Sequence, residues 1–154
     1  MTRGGLGGTV KLAAGSVLNN SLTGVLSATA ACPIYGTLEG AGALDGRFRF
    51  VEGSLWKVKG SATEITESVK MDVVANDDLF DQLGGIDVEF SAKPTVKYYS
   101  LGTARGLTAE KAQAIPVVAH DAEGNAAGAF TADVRDGELV LVQTMPTGTV
   151  LILR

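Results

Sequence analysis

Cysteine, histidine and tryptophan occur once each in the 154 residues, and proline only four times. A lone Cys32 excludes a disulfide within the chain, so burial has to supply the stability. One histidine and one thiol leave little catalytic equipment. No apolar run approaches the roughly 18 residues that a membrane-spanning helix needs. No basic segment followed by an apolar stretch and a cleavage site opens the chain. These absences predict a soluble protein made in the cytoplasm of a cell, with no membrane partner and no cofactor. Charge is sparse too: 19% of residues carry one, against a globular norm of about 25%.

Glycine is what the chain has in excess. Its 20 glycines are close to twice the usual frequency of about 7%. Each one costs backbone entropy when ordered, so their retention predicts tight turns and close backbone approach. A hydrophobic fraction of 45% and a mean hydropathy of +0.21 argue against disorder. The length fits one domain that hides roughly 68% of its extended-chain surface.

Charge is divided unevenly along the chain. Residues 1–60 carry six basic and three acidic groups, a net +3, and residues 61–154 carry seven and fourteen, a net −7. Opposite signs on two regions favour attraction between copies. Between Lys11 and Glu39 lie 27 residues without any charge, rich in Ala, Ser, Thr and Gly. Such a stretch makes a poor helix and a plausible extended arm, so residues 1–31 are expected to form a glycine-rich arm and residues 32–154 a single β-rich domain. Laid on a neighbouring subunit, the arm would bury its backbone by strand addition. The expected interface residues are Thr9, Val10, Leu12, Val17, Leu18, Leu22, Val25 and Leu26.

Strand patterning dominates the rest. Arg47–Val51 and Leu55–Lys59 alternate, with Phe48, Phe50, Trp56 and Val58 on one face and the basic residues on the other. A turn at Glu52-Gly53-Ser54 predicts that they form a hairpin. Further period-two runs occupy Ile86–Phe90, Thr95–Tyr99, Ala129–Val134 and Glu138–Val142, and Pro146-Thr147-Gly148 leads to a last strand at Thr149–Leu153. Short helices are expected after Asn76 or Asp77, through Leu83, and from Thr108 to Ala114, each with a capping side chain. The expected class is all-β: an antiparallel β-barrel or sandwich with one or two short helices and an extended N-terminal arm.

Four constellations bear on chemistry. Asn76, Asp77, Asp78 and Asp81 offer hard oxygens, but they lack the spacing of a calcium loop and are explained by helix capping, so no metal is expected. His120 beside Asp121 suggests acid–base work only if Cys32 or a serine converges on it, which would make a small hydrolase. Adjacent residues on a strand point to opposite faces, and no catalytic residue is assigned. Gly4–Gly8 matches neither a dinucleotide nor a P-loop pattern. Arg47, Arg49, Trp56, Tyr98 and Tyr99 would serve a glycan or nucleic-acid binding module if the rings were exposed for stacking.

In its Gly/Ala/Ser/Thr-rich N-terminal part and its short strands ending in Pro146-Thr147-Gly148-Thr149-Val150-Leu151, the chain resembles small structural proteins of tailed-phage particles, of the capsid decoration or head-fibre base type. The resemblance implies a non-enzymatic virion protein that assembles with copies of itself, as a trimer or another capsid-bound oligomer. It also implies contact with the major capsid protein or another virion component, with synthesis in the host cytoplasm. A glycan or nucleic acid is a partner only under the binding-module reading.

Overall fold

The computed structural model describes residues 5–20, 31–103 and 106–144. Its first rung holds β1 (Thr9–Leu12) and β2 (Val17–Asn20), and its second β3 (Cys32–Ile34), β4 (Thr37–Gly40) and β5 (Ala43–Gly46). The third holds β6 (Phe48–Phe50), β7 (Leu55–Gly60), β8 (Ile65–Glu67) and β9 (Lys70–Val74). Then come β10 (Ile86–Phe90), β11 (Tyr98–Thr103), α1 (Ala109–Gln113), β12 (Val117–Asp121), β13 (Ala129–Arg135) and β14 (Glu138–Thr144).

These strands wind into a parallel β-solenoid of about four turns. One face is the ladder β1-β4-β7-β10-β12, parallel throughout, with β8 attached antiparallel to β7. A second face is β2-β5-β9 and a third is β3-β6, both parallel. The third face continues where Leu6 bridges to Ile34 and where the Phe50 N–H donates to the Leu79 carbonyl at 2.9 Å. β11 then leaves the coil beside β9 to form an antiparallel sheet with β14 and β13.

The expected barrel or sandwich is therefore corrected to a solenoid, and the β-barrel description goes with it. Alternation fixes which side chains point inward, but it does not fix strand direction or partner. Phe48–Phe50 and Leu55–Gly60 illustrate this: they do not pair as a hairpin, because Glu52-Gly53-Ser54 turns the chain through a corner from the third face to the first. Nor do residues 9–20 form a separate arm; β1 and β2 are the coil's first rung. Among the described residues helix is confined to α1, whose N-cap Thr108 accepts from the Lys111 N–H at 3.2 Å. Residues 77–82 form turns instead of the second expected helix. Leu22, Val25, Leu26 and the predicted strand Thr149–Leu153 lie outside the described residues.

Side chains stack in columns down the interior. Register places Val10, Leu38, Trp56, Ile86 and Val117 in one column and Val58, Val88 and Ala119 in the next. Phe50, Trp56 and Phe80 lie with ring centroids 5.9 to 6.3 Å apart. A second trio, Phe90, Tyr99 and Phe130, at 5.3 to 5.8 Å, joins the coil to the antiparallel sheet. Rings at such separations gain from their quadrupoles as well as from burial.

Close stacking also accounts for glycines at the corners. A Cβ on Gly40, where φ is +109°, would collide with the Leu12 backbone one rung away. A Cβ on Gly60 would come within 2.9 Å of the Phe90 ring.

Candidate functional site

The outward side of the first face carries charge of alternating sign. Lys11 lies opposite Glu39, Lys57 opposite Asp87, and Lys59 between Glu67 and Glu89. Neighbouring strands in a sheet are about 4.8 Å apart, so each lysine has a carboxylate within reach on the next rung. Basic residues that read as one stripe along the chain are interleaved with acids in space, and such a face offers a polyphosphate no continuous positive track.

The residues named for stacking are dispersed. Trp56 and Tyr99 are each 1% exposed. The same period that turns Lys57 outward turns Trp56 inward, and the Tyr99 hydroxyl donates to the Ala62 carbonyl at 2.5 Å. Arg47 and Arg49 are half-buried on the third face. Tyr98 is 40% exposed, but it carries the Arg135 guanidinium 4.4 Å and the Lys97 ammonium 5.5 Å from its ring centroid.

His120 is held from both ring nitrogens. Nδ1 is 2.8 Å from the Asp121 carbonyl oxygen and Nε2 is 2.5 Å from Asp87 Oδ1. A carbonyl can only accept, so Nδ1 carries a proton, and Nε2 carries another when it faces an ionised Asp87. The hydrogen bond to Asp121 raises the imidazole pKa; burial opposes it, and Asp87 and Glu89 reinforce it. The Asp121 carboxylate instead accepts the Glu123 and Asn125 N–H groups, each at 2.9 Å, and its pKa is lowered, chiefly by the Asn125 hydrogen bond. Sequence reasoning missed Asp87, which lies 33 positions from His120 and reaches it only because β10 and β12 are parallel neighbours. Cys32 belongs to β3 on another face and to an early rung, and burial raises its thiol pKa. The structure does not bring Cys32 to His120.

The acidic cluster has structural work. Asn76 accepts the Phe48 N–H at 3.0 Å through Oδ1 and donates to the Phe48 carbonyl at 2.6 Å, continuing the third-face ladder with a side chain. Asp78 accepts from the same amide, and Asp81 pairs with Lys111 at 3.1 Å. Among the described residues, no group of three or more His, Cys, Asp or Glu is arranged to hold a metal ion.

A groove of about 680 Å³ lies between the last coil strand and the antiparallel sheet, lined by Phe90, Pro94, Ala126, Ala127, Ala129 and Gln143 among others. Lys93, Asp121 and Glu123 also line it, and the Asp121 carboxylate is engaged by the backbone of its own turn.

The first rung differs from all of these. Its inward residues Leu6, Val10, Leu12 and Leu18 are only half-buried, whereas Ile34, Leu38 and Leu44, one rung deeper, are fully buried at 0%. Among the described residues, β1 and β2 each have a strand on one side only. The opposite end of the first face is covered over residues 119–121: His120 bridges antiparallel to Ala126, and the Ala127 N–H donates to the Ala119 carbonyl at 3.0 Å. Five of the eight expected interface residues, Thr9, Val10, Leu12, Val17 and Leu18, lie on this open rung. It combines strand edges, apolar side chains and a single charge, Lys11.

The fold defines the class, a parallel β-solenoid carrying an antiparallel sheet at one end. Comparison with protein-family models, with curated proteins and with solved structures gives no match for this chain.

Proposed function

We propose that this chain is a non-enzymatic structural protein that associates with copies of itself through the first rung of its solenoid. The observation that carries the reading is the open rung, where half-buried Val10, Leu12 and Leu18 accompany β1, a strand that among the described residues pairs with β4 alone. Strand edges of this kind are templates for pairing, and in coiled architectures the terminal repeat decides whether the coil stays solitary. The virus particle is the setting that the resemblance suggests, with the protein decorating or stabilising a capsid and its acidic remainder facing a capsid partner.

Light scattering over a concentration series tests the reading. The expected result is a mass that rises above 15.8 kDa with concentration. A mass fixed at one chain throughout would overturn it.

A further inference from the structure

We infer that the association is isologous: two copies join first rung to first rung, with β1 antiparallel to β1 of the second copy and Val10 on the two-fold axis. This rests on the self-association just proposed and specifies its geometry.

Backbone direction comes first. The Thr37 N–H donates to the Gly8 carbonyl at 2.7 Å and the Ala41 N–H to the Leu12 carbonyl at 2.8 Å. Alternation along a strand then turns the amides and carbonyls of Gly8, Val10 and Leu12 toward β4, and those of Thr9 and Lys11 away from it. The outward groups of Thr9 and Lys11 are what a second strand would meet.

Symmetry identifies that strand. Residues 125–127 cover the far strand over residues 119–121, which leaves a head-to-tail contact only its short start at Val117–Val118. The end that offers both a β edge and a matching apolar cross-section is the first rung of another copy. A surface that pairs with itself closes at two.

Register follows from side chains. Opposed residues of an antiparallel pair point to the same side, so inward Val10 and Leu12 must meet inward residues. Two registers satisfy this near the centre of β1. With Lys11 on the axis, two ammonium groups stand directly opposite, which is unfavourable. With Val10 on the axis, Thr9 faces Lys11 of the second copy and exchanges both backbone hydrogen bonds with it, about four bonds for the pair. Val10 then meets its own counterpart, and the half-buried Leu6, Leu12 and Leu18 are covered from beyond the end of the coil. The stretch from Lys11 to Glu39 adds no other charge to repel a second copy.

Cysteine pairing reads the register. Residues facing each other across a non-hydrogen-bonded antiparallel site have Cα atoms about 4.5 Å apart, within disulfide range. In a Cys32→Ser background, Val10→Cys is expected to oxidise to a covalent dimer, while Lys11→Cys stays uncoupled. Lys11→Pro deletes an N–H that β4 does not use, so the fold is expected to survive while association weakens about 30-fold or more, the equivalent of two lost hydrogen bonds. A chain monomeric at every concentration would overturn the self-association itself. An oligomer that couples through Lys11→Cys and not Val10→Cys, ignores Lys11→Pro, or settles at three copies would overturn this geometry alone.

Discussion

Single residues in this coil answer to the rung above and below, and two glycines show how. Gly40 and Gly53 both have positive φ, +109° and +87°, but a Cβ on Gly40 runs into the Leu12 backbone, whereas nothing lies within 4 Å of one on Gly53. Gly40→Ala is therefore expected to cost about 3 kcal/mol or more and Gly53→Ala about 1 kcal/mol, read from denaturant midpoints. Equal costs would mean that the rungs do not approach as closely as described. His120 supplies a pH-dependent clasp between β10 and β12. Because its pKa is raised in the folded chain, its contribution is complete below the ordinary value of 6.5 and is lost as pH rises through the raised value. Above that point, Nε2 and Asp87 present lone pairs to each other. Asp121 works in the opposite sense: with its pKa lowered, the turn at residues 121–125 keeps its contribution above 3.8 and loses it as acid reaches the lowered value. Protection of the β12 amides, their exchange taken relative to the intrinsic rate at each pH, is thus expected to be greatest in mildly acidic solution and to fall on both sides. His120→Gln should abolish the alkaline limb, and a limb that survives would place its origin elsewhere.

At the scale of elements, the clearest test is Asn76, a side chain that stands in for a strand. Asn76→Ala would leave the Phe48 N–H and carbonyl without that partner, at a cost of about 1 to 3 kcal/mol; an unchanged thermal midpoint would deny the amide this role. Many strands were legible in the sequence, because alternation sorts side chains into inner and outer sets whatever the partner. Ile86–Phe90 forms as predicted, the Thr108 cap starts a helix, and β13 and β14 pair through Asp136-Gly137, both with positive φ as a tight hairpin turn requires. Pairing was not legible. Glu52-Gly53-Ser54 reverses the chain equally well as a corner or as a hairpin, and only the stacking of whole rungs decides between them. Of the candidate site, residues 12–18 were recognisable from missing charge, while Leu6 and the His120–Asp87 contact depend on neighbours distant in sequence.

For the molecule as a whole, the coil is not legible as a repeat because its turns differ in length. Thr9 pairs with Thr37, Thr37 with Leu55, Trp56 with Ile86, and Ile86 with Val117, offsets of 28, 18, 30 and 31 residues. A repeat search looks for a constant interval, and here the corners absorb the variation while the ladder stays in step. The same ladder has a consequence for synthesis. Its strands lie side by side in the order in which the ribosome releases them, so none has to be threaded between two that have already joined. The nascent chain can add each turn at a single advancing front. The Thr9–Leu12 edge opposite that front is released before the turns that stack behind it, and under the two-fold geometry it would be ready to meet a companion while those turns are still being made.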